Sequence, residues 1–178
     1  MKVLLTGFGP FGSLVDNPTE RLVRRFDGAR IGDRIVDGLA LPTSFSRAKT
    51  LLRERVSDHT LVLMLGVAEG TSELRVERFG RNLDDARIED IDGETPCGPI
   101  GAGPELLPVS IDVDALVAAL RRAEIPANAS ESAGTYVCNH VLYSTLADVE
   151  VPRIGFLHVP PLDFEMLSLA VEIAISVA

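Results

Sequence analysis

The chain has 178 residues, with 17 Lys and Arg against 26 Asp and Glu, which gives a formal net charge of −9 at pH 7. At this length we expect one domain, residues 1–178, that buries roughly 70% of the surface its unfolded chain exposes. Hydrophobic residues make up 46% of the sequence and charged residues 24%, which excludes a disordered or low-complexity chain. The acidic balance argues against nucleic-acid and anionic-membrane partners, because both require a surplus of Lys and Arg.

Two cysteines, Cys97 and Cys138, allow at most one disulfide bridge, and the first residues do not resemble a signal peptide. The longest apolar run, from Met166 to Ala178, is interrupted by Glu172 and is shorter than the roughly 20 residues needed to cross a bilayer. We therefore expect a protein of the reducing cytoplasm with no membrane partner.

Strand and helix patterns alternate along the first half of the chain. Asn17 as N-cap and Pro18 at the first helical position predict the start of the first helix. The predicted elements are, in chain order, a strand at 2–6, a helix at 18–26, a strand at 34–41, a helix at 44–57 and a strand at 61–66. The last of these strands is almost continuously apolar, which is typical of a buried central strand.

The alternation continues in the second half, after an irregular stretch rich in Gly, Pro and Asp at residues 80–108 that we expect to be mobile or functional. The predicted elements that follow are a helix capped by Asp112, a helix at 138–148, a strand at 153–159 and a helix at 164–178. Alternating strands and helices predict an α/β fold, a single three-layer α/β/α domain around a mixed, mostly parallel twisted sheet.

Residues 7–12 read Gly-Phe-Gly-Pro-Phe-Gly after the first strand and formally match the Gly-x-Gly-x-x-Gly dinucleotide-binding motif. In that motif the helix begins within the glycine run, but here Pro10 removes a backbone donor and the helix begins only near Asn17. We therefore set nucleotide binding aside and expect no cofactor. The loop instead presents Phe8 and Phe11 at the carboxyl end of a strand, and local pattern does not separate a role in a site from core packing.

A second motif, Ala-Gly-Thr-Tyr-Val-Cys-Asn-His at residues 133–140, delivers Cys138 to the first turn of a helix. The partial positive charge at a helix N-terminus stabilises a thiolate, which is the form of cysteine that attacks carbonyl carbons. Cys138 also lies at helical spacing with Val141, Leu142 and Thr145, as a small buried hydrophobic residue would. Local pattern leaves the nucleophilic and the structural interpretation open.

A nucleophilic cysteine needs a histidine base, and His158, at the carboxyl end of an apolar strand, is the best candidate. His59 lies in a helix-to-strand connection, and His140 is only two residues along the helix from Cys138. A lone histidine in a strand is more often structural, so the candidacy of His158 depends on that of the cysteine.

A carboxylate that orients the imidazole would complete a triad, and the segment at residues 73–82 offers Glu73 and Glu77. Glu77 is opposite in strand phase to the aliphatic residues beside it, so its carboxylate would face a site while they face the core. Local pattern does not separate the two glutamates, and a solvated carboxylate paired with Arg75 or Arg78 stays open.

Metal binding is a weak alternative in this sequence. The cysteines and histidines show neither a Cys-x-x-Cys nor a His-x-x-x-His spacing, so we predict no metal site. Cys97 has no base near it in the sequence, and we interpret it as structural or incidental.

Four segments together resemble the pyroglutamyl peptidase I (pyrrolidone-carboxylate peptidase) family of cysteine peptidases, in the same order and at similar spacing. They read TGFGPFG, ERFGRNLDDARIEDIDG, SAGTYVCNH and GFLHVP. The resemblance implies that Cys138 is the nucleophile, that His158 is the base and that Glu77 is the third member of the triad. It also implies removal of an N-terminal pyroglutamyl residue from peptides through a thioester acyl-enzyme, and a possible homo-oligomer, since family members commonly form tetramers.

The resemblance extends to the substrate pocket. Pyroglutamate is neutral and flat, so its pocket should offer aromatic faces and a few hydrogen bonds to the amide groups. The residues that the resemblance implies for substrate binding are Phe8, Phe11, Asn17, Val67, Tyr136 and Val137.

The chain departs from the family pattern in two places. After the central strand, Val67 and Glu69 stand where the family often has a glutamine and a second glycine, and the connection from the 153–159 strand to the last helix is short. These departures motivate a second hypothesis, a related cysteine hydrolase with a different N-terminal specificity. A third hypothesis, from another class, is a non-catalytic relative that acts as a binding or assembly module.

Overall fold

Eleven strands and five helices form the part of the chain that the computed structural model describes, which is residues 1–12, 14–68 and 70–178. The strands are β1 (Lys2–Phe8), β2 (Arg30–Ile31), β3 (Arg34–Leu41), β4 (Leu61–Val67), β5 (Leu74–Glu77), β6 (Phe79–Arg81), β7 (Asp84–Asp85), β8 (Cys97–Gly98), β9 (Leu106–Pro108), β10 (Ala127–Ser130) and β11 (Arg153–Val159). The helices are α1 (Pro18–Phe26), α2 (Phe45–Arg55), α3 (Val113–Arg122), α4 (Val137–Asp148) and α5 (Phe164–Val177). Glu69, one of the departures named above, lies outside the described residues.

Seven of these strands form the central sheet, in the order β10-β5-β11-β4-β1-β3-β2. The pairs β1–β3, β1–β4, β4–β11 and β5–β10 are parallel, while β5–β11 and β2–β3 are antiparallel. The sheet is therefore mixed and mostly parallel, which confirms the predicted fold class. Strand β4 lies between β1 and β11 and is buried along nearly its whole length, as its apolar sequence predicts.

Alternate residues of the central strands pack into two separate cores, because successive side chains of a strand point to opposite faces of the sheet. Leu61, Leu63 and Leu65 of β4 belong to a core shared with α1, α3 and α5. Val62 and Met64 belong to a second core shared with α2 and α4, and we call this side of the sheet the α2/α4 face. No helix in the described residues has the length and apolar character required to cross a membrane.

Most helix starts are capped by side chains, which explains why the sequence predicts them well. Oxygen atoms of Asn17, Ser44, Asp112 and Asp163 each accept a hydrogen bond from a backbone N–H two or three residues later. Helix α4 differs, because Tyr136 at its N-cap makes no such side-chain hydrogen bond. The first N–H groups of α4 are therefore open to another acceptor.

Residues 80–108, which we call the 80–108 segment, contain more regular structure than the sequence predicts. Strand β6 pairs antiparallel with β9, and β7 pairs antiparallel with β8. The segment packs closely on α4: a Cβ atom added to Gly80 would lie 2.8 Å from the Cα atom of Tyr143. It therefore forms an ordered cover on the helix that begins next to Cys138.

Several predicted boundaries are wrong by a few residues. Strand β1 continues to Phe8, and the helix predicted at 44–57 ends at Arg55, after which Val56–Asp58 form a 3₁₀ turn. The short strands β2 and β10 were not predicted. They contain two and four residues, and they exist because β3 and β5 supply hydrogen-bonding partners that local sequence does not reveal.

Candidate active site

Strand parity directs the side chains of Glu77 and His158 onto the α2/α4 face. In β5, Leu74 and Val76 pack into the opposite core, so Glu77 faces the other way. In β11, Phe156 packs into the α2/α4 core, and His158, two residues later, has the same parity. Because β5 and β11 are adjacent in the sheet, the carboxylate and the imidazole meet.

The contact between them is a direct hydrogen bond: Nδ1 of His158 lies 2.7 Å from Oε1 of Glu77. Glu77 is completely buried and His158 is 7% exposed. An ionised carboxylate only accepts, so Nδ1–H is the donor and Nε2 is left for another partner. Glu73, the other glutamate considered from the sequence, instead accepts a hydrogen bond from Asn128 Nδ2 at 2.7 Å.

The paired-arginine alternative for Glu77 is wrong. Arg78 forms its ion pairs with Asp114 and Glu131. The carboxylate of Glu77 faces the imidazole of His158 in the protein interior, so it is not a solvated surface charge.

Cys138 is the second residue of α4 and reaches the same point on the sheet. A Cβ atom added to Gly66 would lie 2.9 Å from Sγ of Cys138 and 3.0 Å from Cδ2 of His158. Gly66 is the register partner of His158 on the neighbouring strand β4. The missing side chain at this position therefore makes room for the sulfur and the imidazole to approach one another.

The start of α4 presents backbone N–H groups beside Cys138. The first intrahelical hydrogen bond runs from the N–H of His140 to the carbonyl of Tyr136, at 3.0 Å. The N–H groups of Val137, Cys138 and Asn139 precede it and lie at the positive end of the helix. They are suited to bind a negatively charged oxygen.

The environment of His158 favours its protonated form. Burial by itself lowers the pKa of His158, but the hydrogen bonds to Cys138 and Glu77 and the negative charges of these groups outweigh burial and raise the pKa to about 9. The imidazole is therefore protonated at neutral pH.

A mainly apolar cavity of about 450 Å³ opens beside Cys138. Its lining contains every residue that the sequence analysis expected to bind substrate, namely Phe8, Phe11, Asn17, Val67, Tyr136 and Val137. Thr43 and Ile88 also line it, and the sequence analysis did not single them out. Ile88 belongs to the 80–108 segment, so this segment forms part of the cavity wall.

Aromatic rings shape one wall of the cavity. The ring of Tyr136 lies 5.7 Å from that of Phe11 in a tilted arrangement and 5.2 Å from that of Phe45 in an edge-on arrangement. The Tyr136 hydroxyl donates to the carbonyl of Glu89 at 3.0 Å. Burial, followed by nearby negative charge, raises the pKa of Tyr136 to about 12, so the ring stays neutral.

Asn17 contributes to the cavity mainly through the backbone that it holds. Its Oδ1 accepts from the N–H of Thr19 at 3.0 Å and from the Thr19 hydroxyl at 2.8 Å, and its Nδ2 donates to the carbonyl of Gly9 at 3.0 Å. Asn17 thus caps α1 and fixes the loop that carries Phe11.

The other candidates from the sequence lie outside this cluster. His140 is hydrogen-bonded through Nδ1 to Asp84 at 2.8 Å, and His59 through Nε2 to Asp37 at 3.0 Å. Cys97 is exposed, and both cysteines are free thiols, so they form no disulfide bridge.

Two residues that lie beside the cluster were missed from the sequence. Gly66 appears only as the end of an apolar run, and its importance depends on the sulfur and ring that meet above it. Asn139 is completely buried and hydrogen-bonds to backbone groups of residues 81 and 83. A polar side chain on a helical face that packs inward is the signal that would have identified Asn139.

Comparison with known proteins supports one family over almost the whole chain. A family model described as pyroglutamyl peptidase matches residues 1–172. The pyrrolidone-carboxylate peptidase of Enterobacter sp. (strain 638) is 39% identical over 165 residues, which cover 89% of this chain and 77% of that protein. The relative of the same name from Thermococcus litoralis is 40% identical over 167 residues, which cover 89% of this chain and 76% of that protein.

Solved structures give the same result. The pyrrolidone carboxyl peptidase from Thermococcus litoralis superposes with a TM-score of 0.95 at 36% identity, covering 99% of this chain and 92% of that chain. The pyroglutamyl peptidase I from Bacillus amyloliquefaciens superposes with a TM-score of 0.95 at 34% identity, covering 99% of this chain and 94% of that chain. The chain therefore belongs to the pyroglutamyl peptidase family of cysteine omega peptidases.

Proposed function

We propose that the chain hydrolyses the bond after an N-terminal pyroglutamyl residue of a peptide through a Cys138–His158–Glu77 triad. One observation carries this proposal: the thiol of Cys138, the imidazole of His158 and the carboxylate of Glu77 converge at the edge of an apolar cavity. Family membership supports the substrate class.

The acylation step uses the proton that His158 already holds. An imidazolium stabilises an adjacent thiolate, and Sγ of Cys138 attacks the carbonyl carbon of the pyroglutamyl residue to form a C–S bond. The tetrahedral intermediate then breaks its C–N bond, while the imidazolium gives its proton to the departing peptide amine. The product of this step is a thioester between Cys138 and the pyroglutamyl group.

Deacylation reverses the direction of proton transfer. The now neutral imidazole accepts a proton from water, whose oxygen attacks the thioester carbon. The C–S bond breaks, pyroglutamate leaves and the thiolate–imidazolium pair is restored. Glu77 holds Nδ1–H of His158 throughout, which keeps Nε2 directed at the reacting groups and stabilises the positive ring.

The open end of α4 would stabilise the oxyanion in both steps. The N–H groups of Val137, Cys138 and Asn139 lie at the positive helix end next to the sulfur. Removing a single side-chain donor from the oxyanion hole of another hydrolase costs about 2.7–4 kcal/mol, which sets the scale for donors of this kind.

The cavity suits a small, flat and uncharged group. Phe8, Phe11 and Tyr136 offer aromatic faces to the ring of the lactam, and Thr43 offers a hydroxyl to its polar edge. Apart from the nucleophile and Tyr136, whose hydroxyl stays neutral, no titratable side chain is among the described lining residues, so the cavity favours a neutral N-terminal residue over an amine or a carboxylate.

Hydrolysis of pyroglutamyl-aminomethylcoumarin tests the proposal. The wild type should release the fluorophore, and Cys138→Ser should lose at least about 1,000-fold in kcat/KM because a hydroxyl is a far weaker nucleophile at neutral pH. Cys97→Ser is the matched control, since it removes the other, exposed thiol. An inactive wild type, or a Cys138→Ser variant as active as Cys97→Ser, would contradict the proposal.

The second candidate function, a related hydrolase with another N-terminal specificity, is favoured by Val67. This aliphatic side chain lines the cavity at a position where the family often has a glutamine, so one amide contact to the substrate is replaced by an apolar one. A panel of aminoacyl-coumarin amides with small neutral N-terminal residues separates the two functions. Turnover of another member of the panel with none of the pyroglutamyl compound would favour the second candidate.

A further inference from the structure

Asn139 joins the nucleophile's helix to the 80–108 segment. It follows Cys138 in the first turn of α4 and is completely buried. Its Nδ2 donates to the carbonyls of Arg81, at 2.9 Å, and Leu83, at 3.0 Å, and its Oδ1 accepts from the N–H of Arg81 at 2.8 Å. Both amide hydrogens and the amide oxygen are therefore engaged with backbone groups 56 to 58 residues away in sequence.

The same backbone groups lie next to Glu77 along the chain. Glu77 is the last residue of β5, and β6 begins two residues later and contains Arg81. Strand β6 lies directly on the backbone of α4 at Gly80, where no side chain would fit. The amide of Asn139 thus connects the residue after the nucleophile to the strand that follows the carboxylate.

We propose that Asn139 is a positioning residue, which sets the separation between Cys138 and the Glu77–His158 pair by holding the start of α4 against β6. The inference rests on the proposed function, since it gives these three residues their catalytic roles. A nucleophile misplaced by about 1 Å can cost about 100-fold in rate. Loss of the three hydrogen bonds between Asn139 and the backbone of residues 81 and 83 should therefore slow catalysis.

Asn139→Asp is the first test, because aspartate has the same shape but loses both N–H donors and turns a carboxylate oxygen toward two carbonyl oxygens. We expect kcat/KM for the pyroglutamyl substrate to fall about 10- to 100-fold, mainly through kcat. Labelling of Cys138 by iodoacetamide, measured in a Cys97→Ser background, should slow about 10-fold as the sulfur moves away from His158. Asn139→Ser, which keeps one donor, should lie between wild type and Asn139→Asp in both measurements.

The pH profile supplies a readout that a merely structural role would not change. The charged and titratable groups beside His158 are Glu77 and Arg75 on β5 and Cys138 on α4, and Arg75 is the register partner of His158. Moving Cys138 away removes one of the two groups that raise the pKa of His158, so the alkaline limb of kcat/KM should shift to lower pH in Asn139→Ser, which, unlike Asn139→Asp, adds no negative charge of its own.

Asn82→Asp is the matched control. Its Nδ2 donates to the carbonyls of Gly101 and Gly103 and its Oδ1 accepts from the N–H of Gly101, so the pattern is the same but stays within the 80–108 segment. We expect its kcat/KM to remain within about threefold of wild type, with the wild-type alkaline limb and labelling rate.

Three outcomes are decisive. Wild-type labelling rates and alkaline limbs in both Asn139 variants would overturn the inference, even if their activity fell. Failure of both variants to fold while Asn82→Asp folds would also overturn it, because Asn139 would then support the fold as a whole. An inactive wild type would contradict the proposed function, whereas the labelling rates would still test Asn139.

Discussion

The two oxygens of Glu77 have very different surroundings. Oε1 lies 2.7 Å from Nδ1 of His158, whereas Oε2 is buried with no hydrogen-bond partner among the described residues. Removing a carboxylate from water costs folding free energy, and the hydrogen bond to the imidazole of His158 offsets part of that cost. This arrangement is expected if the role of Glu77 is to raise the pKa of His158 and to orient its ring.

Glu77→Gln tests that effect, because it keeps the shape of the side chain and removes the negative charge. Since this charge helps to raise the pKa of His158, we expect the alkaline limb of kcat/KM to move from near pH 9 to lower pH. We also expect the maximum of kcat/KM to fall about 10- to 100-fold. Initial rates on the pyroglutamyl substrate from about pH 6 to about pH 10 measure both effects.

Glu73→Gln is the control for this prediction, since Glu73 lies four residues earlier and hydrogen-bonds to Asn128 instead. Its profile should match that of the wild type. If Glu77→Gln kept the wild-type alkaline limb, Glu77 would have no influence on the charge of His158.

At the scale of elements, the helix starts divide into two kinds. Helices α1 and α3 are closed by the side chains of Asn17 and Asp112, whereas α4 has no side-chain cap and leaves its N–H groups open beside Cys138. A side-chain cap stabilises the starts of α1 and α3, whereas the start of α4 keeps donors free for an anion. In α1 the cap has a second role, because Asn17 also holds the loop of the cavity wall through its hydrogen bond to the carbonyl of Gly9.

Asn17→Ala separates these contributions. Loss of the cap should lower the free energy of unfolding by about 1 kcal/mol, and loss of the hydrogen bond to Gly9 should loosen the loop that carries Phe11. We therefore expect KM for the pyroglutamyl substrate to rise about three- to tenfold, with a smaller change in kcat.

Asp112→Ala removes the corresponding cap of α3. None of the described residues that line the cavity belongs to this helix. Urea unfolding should show a loss similar to that of Asn17→Ala, while KM should stay at the wild-type value. Equal KM values in the two variants would mean that the Asn17 loop does not shape the cavity.

At the scale of the whole molecule, the sheet order brings the site together. Strands β5, β11 and β4 are neighbours, and their parity places Glu77, His158 and Gly66 on the α2/α4 face, where α4 delivers Cys138. The connection from β11 to α5 spans only the residues from Pro160 to Asp163, so the short loop expected there is present. The sheet order therefore buries the carboxylate of Glu77 and the imidazole of His158 inside the folded domain.

This burial predicts a dependence of stability on pH. The pKa of His158 is raised from 6.5 to about 9 on folding, so its protonation stabilises the folded state fully below about pH 6.5, and this contribution is lost as pH rises through about 9. We expect the difference in free energy of unfolding between wild type and His158→Gln to shrink across that window. Urea unfolding at about pH 6 and about pH 10 measures it, and a difference that grew with pH would contradict the raised pKa.

The local sequence was sufficient to predict those helices and strands whose signals lie within a few residues of the element itself. The caps at Asn17 and Asp112 and the apolar run of β4 predict α1, α3 and the central strand, because these signals act within a few residues. The two-residue strand β2 and the four-residue strand β10 escaped prediction, since their hydrogen bonds depend on strands formed elsewhere.

The site divides in the same way. The sequence motifs by themselves identified Cys138 and His158 as candidates, because a helix start and a strand end are local features, and the resemblance added Glu77. Only the tertiary structure decided that Glu77, 81 residues from His158, faces its imidazole while Glu73 faces Asn128. It alone revealed Gly66 and Asn139, because what matters there is close contact between segments distant in sequence, and no local pattern encodes such contact.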